Sequence, residues 1–155
     1  MIEEVKGNIL DTDCKIIAHG VNCQNKMGSG VAKVLYTKWP KVKEAYHDYF
    51  VLYQDLDTSK YLGKISAAPI VEADRVILNC FTQQNYGYDA GQQYLNYEAL
   101  SKCMHKVLIY CMNHNQMQVA IPKIGCGLAG GNWNTVKDII NERFPRNFKV
   151  KVYYL

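Results

Sequence analysis

The sequence has no long apolar run. No stretch approaches the roughly 18–20 apolar residues that a membrane-spanning helix needs, which excludes a helical membrane anchor from the reading. The opening Met1-Ile2-Glu3-Glu4-Val5-Lys6 alternates as a strand does, with neither the basic start nor the apolar stretch of an export signal. A cytoplasmic protein is therefore expected, and its six cysteines are read as reduced thiols. Proline is scarce and scattered (Pro40, Pro69, Pro122, Pro145), so it punctuates elements rather than building a linker. Low-complexity tracts are absent, and residues 1–155 read as one domain long enough to bury a core. Paired metal motifs are missing too. Cys111-x-x-His114 with Cys103 nearby makes only one pair, whereas a zinc site needs four ligands, so no metal and no cofactor are expected.

The charge is only mildly basic, +4, which suits an anionic ligand without requiring one. The loose lysine group Lys33, Lys38, Lys41 and Lys43 reads as a solvated helix face. Along the chain, apolar runs at residues 1–6, 14–19, 64–70, 75–81, 118–122 and 149–154 predict six strands. Helical spacing predicts four helices: residues 31–38, one from Pro40 through Tyr53, residues 95–114 with Leu100, Met104, Val107, Leu108 and Cys111 on one stripe, and one capped by Asn132 that runs to Phe144. This alternation predicts an α/β fold, a three-layer α/β/α sandwich with a mixed central sheet.

Ligands in such sheets bind beyond the carboxyl ends of the strands. Two loops at such ends are rich in glycine. Met27-Gly28-Ser29-Gly30-Val31-Ala32 follows a buried strand and opens a helix. Pro122-Lys123-Ile124-Gly125-Cys126-Gly127-Leu128-Ala129-Gly130-Gly131 also precedes a helix. Glycine lets backbone approach a ligand, and a helix start offers free N–H groups, so the pair suits a diphosphate. No Gly-Lys-Ser/Thr follows, so neither is a Walker loop; Gly125-x-Gly127-x-x-Gly130 sits too near the C-terminus for a dinucleotide fingerprint.

His19 ends the second expected strand beside the first of these loops. An imidazole there can serve as base, acid or nucleophile toward phosphorus; the competing reading is a histidine that orders the loop. Asp89, in Tyr86-Gly87-Tyr88-Asp89, is either a partner that orients water or a solvated loop aspartate. Asn22 either bonds a ribose hydroxyl or stabilises its own turn.

Taken in order, Val5-Lys6-Gly7-Asn8-Ile9-Leu10, Ile17-Ala18-His19-Gly20-Val21-Asn22-Cys23, the two glycine loops and Val152-Tyr153-Tyr154-Leu155 resemble a macrodomain along the whole chain. The resemblance is nearest to the branch with the yeast ADP-ribose 1″-phosphate phosphatase and the human terminal ADP-ribose glycohydrolase, to which Leu95-Asn96-Tyr97-Glu98-Ala99-Leu100 also fits. Similar proteins occur in tailed phages, which for a viral source places the protein in the host cytoplasm.

The resemblance implies an ADP-ribose ligand. It gives adenine to Asn8, where the family carries an aspartate, and flanks the base with Ile9, Tyr153 and Leu155. It sets the His19-to-Val31 loop, with Gly28, Ser29, Gly30 and Val31, around the distal ribose; Gly125, Cys126, Gly127, Leu128, Ala129 and Gly130 cradle the diphosphate and distal ribose from the other side, and Ile124 also belongs to the ligand-binding set. The glycohydrolase uses a lysine and an aspartate, but here residues 79–97 hold no lysine and Ala129 stands at the aspartate position. The resemblance thus implies first a hydrolase that removes phosphate from ADP-ribose 1″-phosphate, with His19 catalytic. The alternatives are a hydrolase acting on ADP-ribosylated protein or nucleic acid, and a reader without turnover.

Overall fold

The computed structural model describes residues 1–155. Six strands and four helices follow in the expected order: β1 (Ile2–Lys6), β2 (Ile16–Asn22), α1 (Gly30–Lys38), α2 (Lys41–Tyr53), β3 (Ile65–Ile70), β4 (Arg75–Gln83), α3 (Tyr97–Asn113), β5 (Gln118–Pro122), α4 (Trp133–Arg143) and β6 (Lys149–Tyr154). The strands form one sheet in the order β1-β6-β5-β2-β4-β3. All neighbours are parallel except β3, which runs antiparallel to β4 at the edge. Pro69 falls on that edge strand, where a missing N–H is tolerated.

Each face of the sheet carries its own core. One cluster joins Leu78, Ile121 and Val152 of the sheet to Leu100, Met104 and Val107 of α3 and Val136 and Ile140 of α4. The other joins Ile17, Val21, Ile77 and Phe81 to Leu35 of α1 and Val42 and Tyr46 of α2. A strand covered on both faces must be apolar throughout, which is why β2 and β4 read as runs rather than alternations. Burying each such Ile, Leu or Phe contributes roughly 1.5–3 kcal/mol.

Three details differ from expectation. β2 continues through Asn22, because Gly20 and Val21 pair with Cys80 and Phe81 of β4. Leu95 stands outside α3; it bridges to Gln83, and Asn96 caps the helix by accepting from Ala99 N. Short 3-10 turns at Ile9–Asp11, Thr58–Tyr61 and Val71–Ala73 were too brief to show periodicity. All six cysteines are free, and no helix is long and apolar enough to cross a membrane.

The sheet topology makes an opening. From β2 the chain crosses toward β3 and β4, and from β5 it crosses the other way to β6, so the switch point lies between β2 and β5. These two strands share a single partner pair, Ile17 with Ala120. Past it, β2 runs on beside β4 while β5 ends at Pro122 beside β6, and the space between their carboxyl ends is unpaired.

Candidate functional site

A cleft of about 590 Å³ occupies that space. It is bordered by Gly7–Ile9 after β1, residues 26–32 and Val34 after β2, Gln83 at the end of β4 and Tyr86–Tyr88 after it, residues 122–129 after β5, and Tyr153–Leu155 at the end of β6. Asn8, Ile9, Asn22, Gly28, Ser29, Gly30, Val31, Ile124, Gly125, Cys126, Gly127, Leu128, Ala129, Tyr153 and Leu155 all border it. Gly130 and Asp89 do not. Gly130 packs against the neighbouring loop, where an added Cβ would stand 2.6 Å from the Gln92 carbonyl oxygen. The Asp89 carboxylate turns back to accept from Gly91 N at 2.9 Å.

The first loop presents its backbone. Gly28, Ser29 and Gly30 are exposed, and nothing lies within 4 Å of a Cβ placed on Gly28. Ser29 is the N-cap of α1 yet makes no capping hydrogen bond, and the first turn carries no acid. The N–H groups that a helix start leaves free therefore open into the cleft. Behind them Asn22 holds the turn. Its Oδ1 accepts from Gln24 N at 2.9 Å and lies 2.9 Å from the Tyr46 hydroxyl, and its Nδ2 donates to Lys26 O at 2.7 Å. Of the two readings of Asn22, the turn is the one these bonds support. Asn8 is similarly engaged, its Oδ1 accepting from Leu10 N at 2.9 Å, with the amide N–H groups left over for a ligand.

The second glycine loop is built differently. Gly125 has φ +72°, and a Cβ there would meet Leu95 Cδ2 at 2.6 Å. At Gly131 a Cβ would stand 2.5 Å from the same methyl. The Ala129 carbonyl accepts from both Tyr94 N (2.7 Å) and Leu95 N (3.1 Å). These residues clamp the loop to residues 94–95, leaving Gly127 as the open position, with nothing within 4 Å of its Cβ. The following helix is capped: Asn132 Oδ1 accepts from Thr135 N at 3.3 Å. So only α1 offers a free helix start to the cleft, not both helices as the sequence suggested.

His19 lies inside β2, three residues before its end, rather than at the loop, and is 1 % exposed. Asn79 Nδ2 donates to Val42 O at 3.2 Å, which turns Asn79 Oδ1 toward the ring; since that oxygen only accepts, His19 Nε2–H is the donor, at 2.6 Å. The other ring nitrogen, Nδ1, is buried without a partner. Burial holds the imidazole down to about 4, against an ordinary 6.5, although the Asn79 bond acts the other way. The ring is neutral at pH 7, and its polar atoms are shut away from the cleft that His19 borders.

The charged side chains bordering the cleft are Lys26 and Lys123, with no aspartate or glutamate among them. Lys26 has no acidic partner. Lys123 pairs with Glu4 at 3.7 Å and lies 5.0 Å above the Tyr154 ring. Burial pushes the Cys126 thiol up, which disfavours a thiolate nucleophile. Sequence reasoning missed both lysines and the rim tyrosines Tyr86 and Tyr88. Lys123 follows directly on the strand that delivers the second glycine loop, and that position was the available signal.

The fold agrees with the comparisons. The Macro domain family matches residues 18–140. The chain is a macrodomain. It is 28% identical to the ADP-ribose 1″-phosphate phosphatase of Debaryomyces hansenii over 99% of this chain and 98% of that one. It is 30% identical to a 17.5 kDa protein of Enterobacteria phage T4 over 91% of this chain and 88% of that one. It is 27% identical to human ADP-ribose glycohydrolase OARD1 over 99% of this chain and 91% of that one. Among solved structures, a Streptomyces coelicolor macrodomain protein superposes with a TM-score of 0.80 at 26% identity, covering 100% of this chain and 99% of that one.

Proposed function

We propose that the cleft binds ADP-ribose or a close derivative and that the protein releases phosphate from ADP-ribose 1″-phosphate. The observation that carries the binding reading is the cleft itself: about 590 Å³, bordered by two lysines, an uncapped helix start and open glycines, with no carboxylate side chain. Such a surface attracts a diphosphate. Asn8 and Ile9 at one end and Tyr153 and Leu155 beside them supply a polar edge and apolar faces for a purine. The phosphatase reading rests on the relatives that bear that name and align end to end.

The same geometry limits the mechanism. His19 is neutral and enclosed, so in this reading it positions β2 against Asn79 and moves no proton. Asp89 points into its own turn. Water, oriented by loop N–H donors and by the anionic ligand, then attacks the 1″-phosphorus; the bond from phosphorus to the C1″ oxygen breaks, that oxygen keeps the electron pair and takes the proton from the attacking water, and inorganic phosphate and ADP-ribose leave, with Lys26 stabilising charge as it develops. A second reading, binding without turnover, is favoured by the lack of an aspartate or glutamate side chain at the cleft to act as a base. Removal of ADP-ribose from a modified protein or nucleic acid, the reaction class suggested by the relatives named glycohydrolase, would proceed without a lysine from residues 79–97.

Phosphate release from ADP-ribose 1″-phosphate is the test, alongside calorimetry with ADP-ribose. Release that persists at a comparable rate in a folded His19→Gln variant supports water activation as described. Binding without release selects the reader, and absence of ADP-ribose binding refutes the proposal.

A further inference from the structure

The positive charge of this chain is not spread evenly. Residues 14–43 contain six lysines and no aspartate or glutamate, whereas the rest of the chain carries two more acids than bases. Lys15 is paired with Asp74. Lys26, Lys33, Lys38, Lys41 and Lys43 have no ion-pair partner. This segment covers β2, α1 and the first residues of α2, whose later turns carry Glu44 and Asp48, so the unpaired positive charge lies along the β2–α1 side of the cleft.

On that wall a shallow groove of about 480 Å³ runs along the outer face of α1, bordered by Leu10, Gly30, Lys33, Val34, Thr37 and Lys38. Lys33 with Thr37 and Val34 with Lys38 are i,i+4 neighbours, which puts two ammonium groups and a hydroxyl on one exposed face. Gly30 and Val34 border both the groove and the cleft, so the two are continuous. Unneutralised cations beside a nucleotide-sized cavity raise the local concentration of anions and favour a ligand that supplies one more.

We propose that this groove holds a further phosphate of the ligand, carried on the adenosine end of the nucleotide and contacted by Lys33, Lys38 and the Thr37 hydroxyl. The assignment of that end rests on the reading above: Leu10 directly follows Asn8 and Ile9, which receive the base. Two sources present the same chemistry there, a phosphate monoester on the adenosine ribose and the phosphodiester of a strand.

Calorimetry at low salt with ADP-ribose, ADP-ribose 2′-phosphate and a ten-nucleotide single strand separates them. The 2′-phosphate is expected to bind about five- to tenfold more tightly than ADP-ribose, the scale of two exposed charge pairs, and the gain should shrink at high salt. In the exposed double variant Lys33→Ala/Lys38→Ala the gain disappears while ADP-ribose affinity stays unchanged. Strand binding that is lost in the same variant assigns the groove to a phosphodiester and equally supports the proposal. Equal affinity for both nucleotides with no strand binding overturns it. If ADP-ribose itself does not bind, the reading of the cleft has failed rather than that of the groove.

Discussion

The two glycine-rich loops read alike in sequence and serve different purposes in the fold. In the loop ahead of α1 the glycines face empty space and the helix start is uncapped. In the loop ahead of α4, Gly125 and Gly131 are small because Leu95 lies against them, and Asn132 caps the helix. The first loop leaves its backbone open to the cleft. The second is mostly a joint between two segments of chain, with Gly127 as its one open position. Glycine content alone does not report close approach to a ligand, since it equally reports close approach of the protein to itself.

That contrast can be broken or sharpened by experiment. The largest effect is expected at the joint. Gly125→Ala places a side chain at positive φ against Leu95 and should lower stability by about 2–4 kcal/mol in urea unfolding; adding Leu95→Ala should recover none of the φ strain but relieve the clash. A Gly125→Ala protein of wild-type stability would erase the distinction between the loops.

Next in size is an acid effect on β2, the strand that delivers the first loop. His19 has a folded value near 4 against an unfolded value of about 6.5. Between these values the unfolded chain takes up a proton that the folded chain refuses. Stability is therefore full above pH 6.5 and declines as pH falls toward 4, by up to about 3 kcal/mol. His19→Gln should flatten that slope. β5, which delivers the second loop, buries only Val119, Ala120 and Ile121 and has no such group.

Gly28→Val should do the opposite of Gly125→Ala. Stability should stay within about 0.5 kcal/mol, while ADP-ribose affinity drops about tenfold or more because the new side chain projects into the cleft. The smallest contrast is between the two N-caps. Asn132→Ala should cost about 1 kcal/mol of stability with no change in affinity, and Ser29→Ala should change stability by less than about 0.5 kcal/mol.

Much of this was legible in the sequence. The apolar runs of β2, β4 and β5 and the stripe Leu100–Met104–Val107 on α3 gave the layers, because burial on a two-sided sheet leaves a continuous signature. The loops after β2 and β5 were legible from their place at strand ends, and the residues after β1 and at the end of β6 from the family resemblance. What was not legible depended on contacts distant in sequence. Nothing near His19 announces that Asn79, 60 residues on, accepts a hydrogen bond from its Nε2–H, and nothing near Gly131 announces Leu95. The inward turn of Asp89 is local, but a free loop aspartate and one bonded to its own turn have the same sequence. The rim tyrosines Tyr86 and Tyr88 sit in a polar loop without periodicity, so no pattern pointed to them.

The single partner pair between β2 and β5 gives the sheet a seam. Everywhere else the strands are laced by ladders of five or more partner pairs, but here one pair, Ile17 with Ala120, joins the half containing β1, β6 and β5 to the half containing β2, β4 and β3. The cleft is bordered by residues from both halves, so a ligand held there as proposed would work as a clasp across the seam. Occupancy should tie the halves together more than any backbone pairing between them does, and amide exchange at residues 18–22 is where that fastening would be read.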